Sequence, residues 1–234
     1  MKNMQTLTNS MQSIERLKLE LEDLEEFLRG LPFNLSDYKV GDFGCEWGYT
    51  TLSLMLALNA AECVGIDTFT GKDHSPSSLE QAQQGLDNVK AKILAMPKNS
   101  QEDGLIRETQ NLLRKGRFPV FKQDDIVQSN SLPKNLDFAF CKLVLRNIHE
   151  GAYGNSIKGN QAVELAVKNI ATSTKHGGLV CVVEKNVAGS VDIVPFLEAH
   201  LTFLRICHIR RGDIGTNGRT SSSTSYIVYA YKKP

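Results

Sequence analysis

"VGDFGCEWGYTT", Val40–Thr51, decides how the chain is read. A strand-like run, "YKVGDFG", enters it and a helix-like run, "TTLSLMLALNA", leaves it. Between them stand Asp42, Gly44, Glu46 and Gly48. Gly44 and Gly48 lack a Cβ, so they permit positive φ and let a ligand lie against the backbone. The helix behind them points its first N–H groups and its dipole at the same place, which suits a phosphate or a carboxylate equally. Asp42, at the strand's end, separates the two. Its charge repels a pyrophosphate and attracts an amine, so the turn reads as a seat for an amino-acid head. The turn also lacks the G-x-G-x-x-G pattern of a dinucleotide site, which counts against a nicotinamide oxidoreductase.

The next two strand ends extend the ligand. "ECVGID" closes on Asp67, placed to accept from the vicinal hydroxyls of a ribose. "FPVFKQDDI" carries Asp124 and Asp125 at its tip. One of this pair can accept from an exocyclic adenine amine, while the other can cap the following helix. Amino-acid head, ribose and adenine together make S-adenosylmethionine.

Farther along, "LDFAFCKLVL" and "LVCVVEKN" read as buried strands and "NQAVELAVKNIATSTK" as a helix closed by Gly177 and Gly178. "VPFLEAHLTFL" reads as a helix, and "RICHIRR" and "TSYIVYAYKK" as two last strands joined by a polar loop, "GDIGTNGRTSSST". Continuous apolar strands alternating with helices predict a mostly parallel sheet. Two strands in succession at the end predict an antiparallel hairpin at one edge. The fold expected is α/β, a seven-stranded, mostly parallel Rossmann-like sheet with that hairpin. Residues 70–117 exceed what a crossover needs. They contain two helical runs, with Ser77 or Ser78 and Ser100 as caps, and are read as an inserted helical pair. Residues 1–35 form an N-terminal segment, and residues 36–234 one domain with that insertion. Ile14, Leu17, Leu21, Leu24, Leu28 and Leu31 recur at steps of three and four, predicting a helix over 10–30, capped at Asn9 or Ser10 and ended by Gly30 and Pro32. Its narrow stripe packs on its own domain, lids a pocket, or forms the seam of a homodimer.

The totals set limits. A chain of 234 residues, 41% hydrophobic and 23% charged, has the composition of a soluble globular protein. A net charge of +1 supplies no field to recruit nucleic acid or an anionic membrane. No apolar run is long enough to span a bilayer. The N-terminal stretch lacks the apolar core of a signal peptide. Cys45, Cys63, Cys141, Cys181 and Cys207 form no C-x-x-C pair and are expected as buried thiols in a reducing cytoplasm. No close cluster of His, Asp and Glu suggests a metal.

Taken in order, the motifs resemble those of class I S-adenosylmethionine-dependent methyltransferases. "VGDFGCEWGYTT" is similar to that family's first motif, D-x-G-x-G-x-G, and "VGIDTF", which contains Asp67 and Thr68, to the second. "FKQDDI" resembles the adenine-contacting third, "LDFAFCKLVLRNI" the fourth, and "HGGLVCVVEKN" the run into the fifth strand. The resemblance covers roughly residues 38–231, apart from the insertion. It implies S-adenosyl-L-methionine as cofactor, S-adenosyl-L-homocysteine as product, and Asp42, Gly44, Glu46, Gly48, Asp67, Thr68, Asp124, Asp125 and Lys142 as the cofactor set. Glu46 and Trp47 depart from the motif's small residues. Glu46 either points outward or joins Asp42 around the amino group, and Trp47 is placed to wall the methionine tail.

The resemblance further implies methyl transfer. The sulfonium is already activated, so the protein aligns a nucleophile in line and excludes water. A general base is needed only for a weak nucleophile such as a hydroxyl. The exit of the fourth motif offers Arg146, His149, Glu150 and Tyr153, of which His149 and Tyr153 are the catalytic candidates; His74 can equally line the acceptor pocket. The expected activity is methylation of a small-molecule O, N or C nucleophile enclosed under a helical cap. The alternatives are an RNA or protein methyltransferase, supported by Arg205, His208, Arg210, Arg211 and Arg219 in the final hairpin, and a cofactor-binding protein that transfers no methyl group.

Overall fold

The structure is a computed structural model describing residues 2–31, 38–70, 76–96, 104–151, 156–187, 191–214 and 220–234. Chain contacts divide it into two compact units, Met1–Asp124 and Asp125–Pro234. The described strands belong to one seven-stranded sheet.

The first unit holds α1 (Lys2–Leu28), β1 (Lys39–Phe43), α2 (Tyr49–Ala57), β2 (Glu62–Asp67), α3 (Leu79–Ala95), α4 (Gly104–Arg114) and β3 (Val120–Gln123). Its strands are parallel, with Asp42 opposite Gly65 and Gly65 opposite Phe121. The helix α1 starts at Lys2, not at the Asn9 or Ser10 cap expected. The leucine stripe marks only the later part of that helix. Leu17 joins Leu52 of α2, Leu86, Val89 and Ile93 of α3 and Leu113 of α4 in one core cluster. Leu24 and Leu28 are buried as well, so the stripe is consumed inside the unit.

The inserted helical pair is α3 and α4. Ser78 caps α3, its Oγ accepting the Gln81 N–H at 3.1 Å. The end of α3 is closed from its neighbour: the buried Gln110 amide donates to the carbonyls of Ile93 at 2.8 Å and Met96 at 3.2 Å. The Ile93 carbonyl, which also accepts the Met96 N–H at 3.3 Å, and the Met96 carbonyl thereby gain a partner from the neighbouring helix.

The second unit holds β4 (Leu136–Lys142), α5 (Leu145–Gly151), α6 (Ser156–Ser173), β5 (Thr174–Lys185), α7 (Val194–Glu198), β6 (Thr202–Ile214) and β7 (Thr220–Lys232). β4 runs parallel to β5, and β7 lies antiparallel to both β5 and β6. The final hairpin is therefore antiparallel, as expected.

Four boundaries differ from expectation. β4 stops at Lys142, because Leu143 turns to φ 62 and α5 follows at once. α6 ends at Ser173, and Gly177 and Gly178 lie inside β5. The hydrogen bonds that Gly177 and Gly178 exchange with Lys233 supply the pairing. α7 ends at Glu198, and Thr202 and Phe203 pair with Lys232 and Tyr231. The supposed polar loop is largely strand, to Ile214 on one arm and from Thr220 on the other. At the last three of these, sheet pairing overrides local propensity. The expectations for Pro32, His74, Ser100, Tyr153 and Arg219 fall outside the described residues.

Among the described residues no helix is long and apolar enough to cross a membrane.

Candidate functional site

The turn after β1 gathers the first group of residues singled out. Asp42 is 1% exposed, and its Oδ2 accepts the Thr51 hydroxyl at 2.6 Å. Its carboxylate thus lies beneath the turn, tied to the first turn of α2. Gly48 is the N-cap of α2 with φ 76, and no side chain caps that helix end. Uncapped N–H groups at a helix start favour an anion. A Cβ at Gly48 would overlap the ring edge of Phe121, so this glycine is required both by its dihedral and by its neighbour.

Glu46 is the departure from the motif, and the structure shows what it costs. It has φ 47, a left-handed conformation where the related motif places a glycine. An L-residue is strained there. Its N–H donates to Asp67 Oδ2 at 3.0 Å. The other oxygen of Asp67 accepts the N–H of Phe69 at 3.1 Å. One carboxylate therefore ties the turn after β1 to the turn after β2. Each of its oxygens keeps a further lone pair for a ligand hydroxyl. Two backbone bonds continue the alignment, from Gly44 N–H to the Ile66 carbonyl at 2.7 Å and from Asp124 N–H to the Asp67 carbonyl at 2.9 Å. Thr68 lies in the same turn as Asp67, its carbonyl accepting from the Gln123 amide at 3.0 Å.

Asp124 follows β3 and pairs with Lys122 Nζ at 2.9 Å. Asp125 Oδ1 accepts the Val127 N–H at 2.8 Å in a local turn, and β4, not a helix for it to cap, follows.

Trp47 takes a place that sequence reasoning missed. Its ring lies on α3, where a Cβ on Gly85 would come within 3.2 Å of it. The glycine in the middle of a helix was the available signal, since such a residue marks a close approach. α1 was missed too. Its Arg16 guanidinium stacks over the Tyr49 ring, 4.6 Å from the centroid, and approaches Glu46 to 3.9 Å. One turn along, Glu20 accepts the Thr50 hydroxyl at 3.2 Å.

Burial pushes the thiols of Cys45 and Cys63 up, and Asp42 adds to it. Neither is a thiolate nucleophile. Among the described residues, no group of three or more His, Cys, Asp or Glu could hold a metal ion.

The remaining residues belong to the second unit. Lys142 ends β4, half-buried, opposite Val183. His149 sits in α5, not in a loop, with its ring and carbonyl against Gly159 of α6. Arg146 Nε donates to Glu150 at 2.6 Å. Glu184, which the reading of the sequence did not single out, is a buried acid of β5. Its Oε1 accepts the N–H groups of Leu145 at 2.9 Å and Arg146 at 3.3 Å, while Oε2 is buried with no partner. Burial pushes its carboxyl up to about 7, against the pull of those two N–H groups.

No protein-family profile matches the chain, and no curated protein does. Solved structures do. The magnesium protoporphyrin IX methyltransferase of Synechocystis PCC 6803, with bound S-adenosylmethionine, is similar at TM-score 0.51 and 15% identity, over 97% of this chain and 81% of that one. The N-methyltransferase NodS of Bradyrhizobium japonicum WM9, in complex with S-adenosyl-L-homocysteine, is similar at TM-score 0.50 and 13% identity, over 93% and 86%. The [4+2]-cyclase SpnF is similar at TM-score 0.54 and 13% identity, over 91% and 81%. Likenesses of this kind show the fold. It is the Rossmann-like fold of class I methyltransferases, a seven-stranded and mostly parallel sheet with an antiparallel edge hairpin.

Proposed function

We propose that the chain is an S-adenosylmethionine-dependent methyltransferase acting on a small-molecule O, N or C nucleophile. One observation carries the reading: Asp67 and Asp124 stand at successive strand ends, joined by a backbone bond, beside a glycine turn that Asp67 itself holds. The residues present fit the cofactor. The uncapped start of α2 suits a carboxylate, the Asp67 oxygens can take ribose hydroxyls, and Asp124 or Asp125 is placed for an adenine amine. Gly44, Gly48 and Thr68 supply backbone around it. Asp42, buried, fixes the turn and supplies negative potential beneath it, leaving direct contact with the ammonium to Glu46.

When bound, the cofactor supplies an activated methyl group on a sulfonium. The chain's task is then to orient the acceptor in line and to exclude water. Lys142, His149 and Tyr153 are the proposed contributions of the second unit, His149 and Tyr153 as acid–base groups. Residues 1–35 and the insertion 70–117 are additions to the domain of residues 36–234, with the helical pair enclosing the acceptor. A homodimer through α1 would use the face of Leu19, which is 49% exposed, because the leucine stripe is buried. Location in the cytoplasm agrees with buried free thiols at Cys45, Cys63, Cys141 and Cys181.

The test is turnover. Purified protein is offered methyl-labelled S-adenosylmethionine with a panel of small phenols, amines and enolisable acids, and label in product is counted. Transfer to one class supports the reading. Cofactor binding without transfer to small molecules, RNA or protein favours the second reading, binding alone. The fold's occurrence in a [4+2]-cyclase and the packing of His149 against Gly159 support that reading.

A further inference from the structure

Glu184, near the end of β5, lines a cavity of about 190 Å³ in the second unit. It stands opposite Ile227 of β7, and Tyr229, two residues along that strand, shares the same face of the sheet. Arg146 of α5, with Asp192 and Ile193 just before α7, lines the same space. Glu184 is 6% exposed. The Leu145 and Arg146 N–H groups engage its Oε1, whereas Oε2 is buried with no partner among the described residues. A buried acceptor left in that state costs free energy. A glutamine would hold the same two N–H groups without a charge, so the fold alone gives no reason for an acid here.

The walls select an occupant. Glu184, Asp192 and Tyr229 all bring acceptor oxygens. Burial raises the Tyr229 hydroxyl, and Asp192 and Glu184 raise it further, which puts the three groups within one another's field. Little is left to hold an anion. The Arg146 Nε is taken by Glu150 at 2.6 Å, and the first N–H groups of α5 are taken by Glu184 itself. Lys185, the other cation of the lining, is exposed. Ile193 and Ile227 add apolar surface.

We propose that this cavity binds a small primary amine, whose ammonium donates to Glu184 Oε2 and whose short apolar body lies against Ile193 and Ile227. The site stands on the second unit alone and does not depend on the cofactor reading above. Glu184 meets the amine as a carboxylate. In the empty site burial pushes its carboxyl up to about 7; the two N–H groups and the Arg146 charge pull against that, and Glu150 adds to it. Below that value a bound ammonium sends the carboxyl proton to solvent. An alkylamine itself stays protonated there. Affinity therefore rises by about tenfold from pH 6 to pH 8, and about one proton is released per amine bound at the acid end.

The test follows the backbone N–H signals of Leu145 and Arg146 by nuclear magnetic resonance, since both groups bond to the Glu184 carboxylate. The full chain is titrated with butylamine and benzylamine, each beside its neutral alcohol, and with butyrate. The amines are expected to shift both signals saturably, about tenfold more tightly at pH 8 than at pH 6, and the alcohols and butyrate are not. Glu184→Gln keeps an acceptor for the two N–H groups. It should weaken the amines by about tenfold or more at pH 8 and remove the pH dependence. Asp192→Asn, at an exposed position, should weaken them by about threefold and keep the pH dependence, which leaves the site testable even if Glu184→Gln fails to fold. No shift at about 10 mM amine, equal binding of amines and alcohols, or unchanged amine affinity in a folded Glu184→Gln would overturn the assignment.

Discussion

Asp67 holds Glu46 by its backbone, Oδ2 to N–H at 3.0 Å, while its other oxygen holds Phe69. The acid that the sequence placed under a ribose is thus also the clamp between two loops. Asp67→Ala removes both functions and is expected to weaken S-adenosylhomocysteine by about a hundredfold. Asp67→Asn keeps one acceptor oxygen and should fall between. Calorimetric titration of both variants checks this.

Gly48 is constrained twice, by φ 76 and by Phe121. Gly48→Ala therefore meets a left-handed penalty of about 1–2 kcal/mol and a ring overlap on top of it. Chemical denaturation should show a loss above about 2 kcal/mol. Adding Phe121→Leu should recover the steric part and leave the dihedral part.

Glu46 offers the opposite case. Glu46→Gly relieves the left-handed strain, although the unfolded chain gains freedom. A stability gain of up to about 1 kcal/mol is expected in denaturant melts, together with weaker binding of S-adenosylhomocysteine.

Glu184 sets a pH dependence. Its carboxyl is raised by burial from 4.5 to about 7 in the folded chain. Below the unfolded value it is protonated in both states and costs nothing. Between the two values the unfolded chain ionises first, so stability falls as pH rises and levels off above about 7. The full loss is on the order of 3 kcal/mol. Glu184→Gln keeps an acceptor for the Leu145 and Arg146 N–H groups but cannot ionise. Relative to the wild type, the variant should become more stable as pH rises from 4.5 to about 7 in denaturant melts, by about that amount, and level off above it.

The cysteines can be counted in the native state. Cys45, Cys63, Cys141 and Cys181 are buried, and Cys207, near Arg205 Nη2 at 3.2 Å, is half-buried. A thiol-specific disulfide reagent should modify Cys207 first and the others only on unfolding.

What the sequence disclosed was local and periodic. The turn at Val40–Thr51, the acids closing β2 and following β3, and the Ser78 cap each rest on residues within a few positions, and all lie where expected. What it concealed was pairing across distance. Thr202 and Phe203 read as helix until Lys232 and Tyr231 pair with them, and Gly177 and Gly178 read as a stop until Lys233 bonds to both. At the site, Asp42 was legible as an acid but not as a buried one. The Arg16–Glu46 approach joins residues 30 positions apart through a helix whose leucines said nothing of its polar side chains. Glu184 was hidden because one apolar strand resembles another, and only the start of α5 and its burial show its weight.

The most direct measurement is a crystal structure of the protein soaked with S-adenosylhomocysteine. Ribose oxygens are expected within bonding distance of the Asp67 carboxylate, with the amino-acid head against the turn that Gly44 and Gly48 form. A ligand bound away from the Val40–Thr51 turn, or no bound ligand at saturating concentration, would contradict it.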